Sequence, residues 1–212
     1  LFIGRIDLKY LFLLVFLGLV LLAIIVIIGK YFPDFVRVTT WDYRIKEFFY
    51  NTDGGYQIQQ SKIAVANGGI FGVGPGNSLQ RNYLPYPYAD FIYAIIVEEY
   101  GLIGGILIIG LFLLLLIRSS SIVTKSPKTF GAILAMGLTL NIIVQAFANI
   151  GVSVQLFPVT GLTLPLVSMG GSSILITSIS LGVILSVSRY AEQAQKEKIA
   201  LQEIEELNES NI

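Results

Sequence analysis

Apolar positions along the chain run in long blocks rather than alternating, and polar residues mark where each block stops. Tyr10–Gly29 (YLFLLVFLGLVLLAIIVIIG) is uncharged and has the length of a bilayer-spanning helix, about 20 residues. Phe91–Ile117 is interrupted only by Glu98 and Glu99, and Thr129–Ser188 holds no charged residue. That last stretch is too long for one span and contains Pro158, Gly161, Pro165 and the pair Gly170-Gly171. Such residues turn the backbone, and at membrane depth a turn is tolerated only inside protein or against a polar cavity. The pattern predicts an all-α polytopic membrane protein with four transmembrane helices, at 10–29, 90–117, 129–150 and 172–189. A large loop over 30–89 and a folded or re-entrant link over 151–171 join them on one side.

Charge then orients the spans. The short link 118–128 carries Arg118, Lys125 and Lys128, whereas 151–171 carries no positive charge. Arg5 and Lys9 flank the first span, and Arg189, Lys196 and Lys198 follow the last. By the positive-inside bias, both ends (1–9 and 190–212) and the 118–128 link are cytoplasmic, which places 30–89 and 151–171 outside. The tail RYAEQAQKEKIALQEIEELNESNI has no Gly or Pro and predicts a solvated helix, with a coiled-coil contact through Leu201, Ile204 and Leu207 as a lesser alternative. The chain begins at Leu1 rather than Met and enters apolar sequence almost at once, so it is expected to be part of a longer protein.

Composition narrows the chemistry. Of 212 residues, 54% are hydrophobic and 13% charged, and 14 Lys+Arg balance 14 Asp+Glu. The balance leaves no net field to attract nucleic acid. No cysteine and no histidine are present, which excludes disulfides, thiolate nucleophiles, Ser-His triads and HExxH metal sites. Catalysis must rest on Asp, Glu, Lys, Arg, Tyr or hydroxyl groups.

The long loop has internal order. Asn51-Thr52-Asp53 supplies capping side chains, GGYQIQQSKIAVAN reads as a short helix, and Gly68-Gly69 ends it. The cluster GGIFGVGPGNS reads either as a tight turn or as a run of backbone N–H groups able to hold an anion. Pro85 and Pro87 then fix an extended approach to the membrane at Asp90. Asp90 is either the N-cap of the second span or a working carboxylate. Glu98 and Glu99 lie within a span, where ionisable groups default to functional candidates. At about 100° per residue, Glu98 falls roughly 80° around the helix from Asp90 and about 12 Å deeper, so it is the one able to share a cavity with Asp90. Glu99 is nearly opposite and is expected to pair with another helix.

Two long segments carry a family resemblance. GYQIQQSKIAVANGGIFGVGPGNSLQRNYLPYPYADFIYAIIVEEYGLIGG resembles the large extracellular loop and following helix of the SEDS proteins (shape, elongation, division and sporulation), and GVSVQLFPVTGLTLPLVSMGGSSIL resembles their second signature. The closing SVSRY resembles the family's cytoplasmic exit, and the details sit closer to the division-type branch than to the elongation-type one. The family comprises membrane glycosyltransferases, usually of ten spans, that polymerise peptidoglycan from lipid II. The resemblance therefore implies the last four helices of such an enzyme, in a bacterial plasma membrane at the division septum. Its catalytic carboxylate ends the motif Leu-Pro-x-x-x-x-Asp-Phe-Ile, here at Asp90. The second signature implies substrate contacts from Ser168, Gly170, Gly171 and Ser172. Departures from the family pattern are Tyr86, Tyr88 and Ala89 (commonly Glu, His and Thr), Met169 (commonly Tyr) and Pro75 (usually Leu). Implied partners are lipid II, with its undecaprenyl-diphosphate carrier, a single-span class B penicillin-binding transpeptidase, and other division proteins.

Transfer from a lipid diphosphate needs a base at the acceptor hydroxyl and positive charge, or a metal, beside the departing group. Asp90 is the candidate base, although a helix N-terminus would lower its pKa where a base gains from a raised one. Arg44, Lys62 and Arg81 are candidate diphosphate partners, with lipid headgroups or structural salt bridges as their alternative roles. Glu98 is a candidate substrate contact. No residue is assigned to a metal, and the cofactor stays open, with a divalent cation (Mg or Mn) as the candidate. Gly/Pro-broken spans with intramembrane Glu also fit a lipid flippase. Small residues such as those of Gly101–Gly105 also fit a non-catalytic scaffold holding a transpeptidase's helix. The orientation is directly testable, since the chain has no cysteine of its own. In intact cells an impermeant thiol reagent is expected to label Asp53→Cys and to spare Ser121→Cys; the reverse pattern overturns the assignment.

Overall fold

The computed structural model describes residues 7–31, 38–50 and 55–210. Its elements are the helices α1 (Leu8–Tyr31), α2 (Val38–Tyr50), α3 (Tyr56–Gly68), α4 (Ile92–Lys125), α5 (Thr129–Ser153) and α6 (Gly171–Ser210), with a 3-10 turn at Gln80–Asn82. No strand occurs among the described residues. Four helices, α1, α4, α5 and α6, are long and apolar enough to cross a membrane, so the fold is that of an all-α, multi-pass membrane protein. Their order and number match the four blocks of the sequence.

The differences lie at the edges of the blocks. The 118–128 link shrinks to Ser126-Pro127-Lys128, because α4 continues to Lys125 and α5 starts at Thr129. The last span and the tail are one unbroken helix, α6, whose backbone is helical through Ser210. The 30–89 loop contains a helix, α2, that the apolar pattern does not reveal. Helix α3 falls where GGYQIQQSKIAVAN predicts it and ends at Gly68, with Gly69 (φ 51°) as its C-cap. Its N-cap is Gly55, without a side-chain hydrogen bond; Asn51-Thr52-Asp53 lie outside the described residues.

Helices α4, α5 and α6 form the core. Tyr93, Val97, Phe112 and Ile122 of α4 pack against Ala135, Ile142, Ala146 and Ile150 of α5, Ile184 of α6 and Leu164 of the connecting link. Small residues let the backbones approach, and polar ones bridge them where lipid offers no hydrogen bonds. Thr139 Oγ lies 2.7 Å from Ser119 Oγ and 2.8 Å from the carbonyl of Ala135. A second cluster joins Ile58 of α3 and Leu84 to Phe91, Ile95 and Val152, fastening the loop to the bundle. Helix α1 touches α2, and its most apolar stretch buries nothing within the chain.

Helix α4 is broken at Gly101 (φ 70°, ψ −169°), and the glycine cluster repairs the break. Val73 N–H donates to the carbonyl of Glu98 (2.9 Å) and Gly74 N–H to that of Glu99 (3.0 Å). In return, Leu102 N–H donates to Gly69 O (2.9 Å) and Ile103 N–H to Ile70 O (3.4 Å). A Cβ at Gly101 would collide with the backbone of Ile70, one at Gly72 with that of Glu99, and one at Gly68 with that of Val97. The cluster is therefore a backbone joint: the N–H groups of Val73 and Gly74 are spent on helix carbonyls and do not face an anion. Gly101, a residue of the small-residue stripe, is likewise buried by the chain's own loop.

Gly101→Ala combines a left-handed backbone, which costs a non-glycine residue about 1–3 kcal/mol, with that collision. It should lower the melting temperature of the detergent-solubilised protein by several degrees. Gly110→Ala, which meets open space, should leave it unchanged.

Candidate active site at the head of helix α4

The chain reaches α4 through Leu84-Pro85-Tyr86-Pro87-Tyr88-Ala89-Asp90. Tyr86 takes a left-handed backbone (φ 54°), and its carbonyl accepts from the N–H groups of Ala89 (3.1 Å) and Asp90 (3.2 Å), closing a tight turn. Phe91, 1% exposed, anchors the turn in the second core cluster. The N-cap position of α4 falls on Phe91, with no side-chain cap hydrogen bond. Asp90 therefore does not serve as the cap.

The backbone of this turn is held from two directions. Ser168 Oγ donates to the Ala89 carbonyl (2.5 Å) and accepts from Leu164 N–H (2.7 Å). Met169 N–H donates to the carbonyl of Tyr88 (2.8 Å). From α5, the amide of Asn149 donates to the carbonyls of Asp90 (2.7 Å) and Leu162 (2.6 Å). The Asp90 carboxylate is half-buried. Its Oδ2 lies 3.8 Å from where a Cβ would stand on Gly161, a residue with φ 71°. Burial pushes the Asp90 pKa above the ordinary aspartate value, and the charge of Arg44 partly opposes this. Desolvation thus outweighs the opposing charge of Arg44, and the net direction is upward.

Arg44 of α2 is the predicted cation whose charge reaches Asp90. Its Nη1 donates to the carbonyl of Val159 in the 151–171 link (2.9 Å). It lines a groove of about 370 Å³ between α2, α3 and that link, alongside Tyr43, Glu47, Tyr56 and Gln57. A neighbouring hollow of about 250 Å³ is bounded by Arg44, Ile45, Pro158, Val159 and Thr160. Lys62 sits half-buried on α3, and Arg81 lies in the 3-10 turn, where its N–H donates to Ser78 Oγ (3.2 Å). Glu98 is placed elsewhere. It is 1% exposed and accepts from the hydroxyl of Ser78 and from the N–H of Gln80 (3.3 Å). Its carboxylate thus clamps the loop to α4 and is closed off rather than sharing a cavity with Asp90. Glu99 contributes its backbone carbonyl to the joint.

Ser168 is a buried latch, while Gly171 and Ser172 open α6 in exposed positions, and Gly170 packs against Ser173 and Thr163. Three polar residues of α5 went unnoticed in the sequence. Gln145 donates to the carbonyl of Thr163 (3.0 Å), and the carbonyl of Ser153 accepts from Ser61 of α3 (2.7 Å). With Asn149 they recur every four residues, which places them on one helix face. Polar residues at that spacing inside an uncharged span were the available signal. Among the described residues no group of three or more Asp or Glu assembles a metal site, and the positive charge facing Asp90 is Arg44.

Comparison with known proteins agrees with this architecture. The cell cycle protein family that groups FtsW, RodA and SpoVE matches residues 1–193, and the chain belongs to it. Stage V sporulation protein E of Bacillus subtilis (strain 168) is 49% identical over 138 residues, covering 65% of this chain and 38% of that protein. The probable peptidoglycan glycosyltransferase FtsW of Coxiella burnetii is 46% identical over 142 residues, again covering 65% of this chain and 38% of that protein. The FtsW match supports the division-type likeness read from the motifs. A chain in the solved structure of a peptidoglycan synthase complex that coordinates polymerization and crosslinking is similar, with a TM-score of 0.58 and 28% identity. It covers 86% of this chain and 50% of that one. The chain thus spans 38% of the length of these two curated relatives.

The raised pKa of Asp90 has a stability consequence with a definite sign. Folding disfavours the charged form, so the stability this group contributes at low pH is lost as pH rises through its folded pKa. Asp90→Asn should therefore melt at or above the wild-type temperature at about pH 7.5, with the gap narrowing towards about pH 4.5. A variant that melts lower at neutral pH, with the deficit closing towards acid, would show that the charged form is favoured.

Proposed function

We propose that this chain carries the catalytic part of a peptidoglycan glycosyltransferase that polymerises lipid II, with Asp90 as the general base. The observation behind this is the state of Asp90: a half-buried carboxylate, not used as a cap, raised in pKa and held by its backbone beside Gly161 and Arg44. An acceptor hydroxyl placed over Gly161 gives its proton to Asp90 as its oxygen bonds to the anomeric carbon of the donor sugar. The bond from that carbon to the lipid diphosphate breaks, and the diphosphate leaves with the electron pair. A diphosphate is a good leaving group, so positive charge from Arg44 suffices where a strong acid would otherwise be needed. One carboxylate and no covalent intermediate correspond to single displacement with inversion, the acceptor standing where water stands in inverting hydrolases.

The location follows the charge bias. The 151–171 link, which lacks positive charge, and the loop helices α2 and α3 face the outside of a bacterial plasma membrane, at the division septum, where the sugar of lipid II is presented. The similar chain in a peptidoglycan synthase complex supports a single-span class B penicillin-binding transpeptidase as partner, alongside other division proteins.

Lipid II polymerisation by the purified full-length protein, freed of any partner's glycosyltransferase, tests the reading. Asp90→Asn keeps the side-chain shape, removes the proton acceptor, and should lower the rate by about 10²–10⁴-fold while expression and melting stay near wild type. Near-normal polymer from well-folded Asp90→Asn would overturn the assignment.

A further inference from the structure

The amide of Asn149 has two hydrogens, and both are committed to carbonyls from distant segments, Asp90 O at 2.7 Å and Leu162 O at 2.6 Å. Its own Oδ1 is buried without a partner, and the residue is 1% exposed. A buried acceptor left unpaired subtracts from stability. What the side chain contributes is the pair of bonds that it donates, which tie two distant peptides to one another. The residue itself is fixed within α5, where its carbonyl accepts from Ser153 Oγ (3.1 Å) and its neighbours Ala146 and Ile150 belong to the core. Leu162 follows Gly161, whose missing side chain leaves open the space next to Asp90 Oδ2. One amide thus sets the gap between the carboxylate and its facing wall.

We propose that Asn149 is a positioning residue for Asp90, holding the peptide of the base and the 161–162 backbone in register so that an acceptor hydroxyl fits between them. This rests on the reading of Asp90 as the base. Ser168 and Met169 hold the residues before Asp90; Asn149 holds Asp90 itself. A misplacement of about 1 Å at a reacting group can cost about 10²-fold in rate, which is the scale of effect this link controls.

Two variants of the full-length protein test it. Asn149→Asp keeps the shape but replaces the donating amide with an acceptor, and Asn149→Leu keeps the volume and also deletes the orphaned Oδ1. In lipid II polymerisation, kcat should fall by about tenfold or more while KM stays within about twofold of wild type. Asn149→Leu leaves the carbonyls of Asp90 and Leu162 without their donor, so its melting temperature should fall, and rates are compared per folded protein. The acidic limb of the pH–rate profile should move to lower pH, because a loosened Asp90 gains solvent and loses the desolvation that raises its pKa. Wild-type kcat in a folded variant, or a loss of rate that only tracks the loss of folded protein with the limb unmoved, would overturn the inference. Asp90→Asn is assayed beside them. Full activity of that variant defeats the reading of Asp90 as base, whereas an inactive Asp90→Asn beside fully active Asn149 variants defeats the positioning role alone.

Discussion

A helix that breaks inside an apolar span exposes backbone N–H and C=O groups that lipid cannot satisfy, and each left unpaired costs several kcal/mol. Helix α4 meets this constraint at Gly101 by borrowing partners from Gly69–Gly74. The rest of the outer architecture depends on that exchange. Once the glycine segment is bonded to α4, the chain leaving it must run past Ser78 and Gln80, where the Glu98 carboxylate receives it. It then meets Pro85 and Pro87 and arrives at Asp90. Hydrophobic burial of Leu84 and Phe91 completes the path.

The same rule explains the 151–171 link. It is not helical over most of its length, so its carbonyls need donors from the bundle. Gln145 and Asn149 on one face of α5 serve Thr163 and Leu162, and Arg44 of α2 serves Val159. Polar side chains inside a membrane span are thus accounted for by irregular backbone nearby. Left-handed backbone at Tyr86, Gln155 and Leu166 is concentrated in the two segments that meet at Asp90, in keeping with the tendency of strain to gather at functional sites.

The spans were legible because uncharged blocks of helical length have few other uses. Asp90 was legible as a candidate through its motif, and α3 through its flanking glycines. Helix α2 was not, because its charged and aromatic residues alternate too closely for a span and its partners come from elsewhere in the chain. Glu98 was misplaced because helical angle places a residue on a face but says nothing of a loop that folds back over it. The glycine cluster misled in the other direction. Its N–H groups resemble an anion nest, and only the break at Gly101 reveals that they bind helix carbonyls. Asn149 was overlooked because it stands within a span defined by its lack of charge.

Helix α6 has 40 residues, which at 1.5 Å each amounts to about 60 Å, twice the thickness of a bilayer's hydrocarbon core. One end abuts the Ser168–Met169 corner that grips the turn before Asp90. The other stands about 30 Å clear of the apolar layer. A continuous ladder of hydrogen bonds joins the two ends, so one rigid rod carries the chain from the corner that grips Tyr88 and Ala89 to the far end of the charged tail.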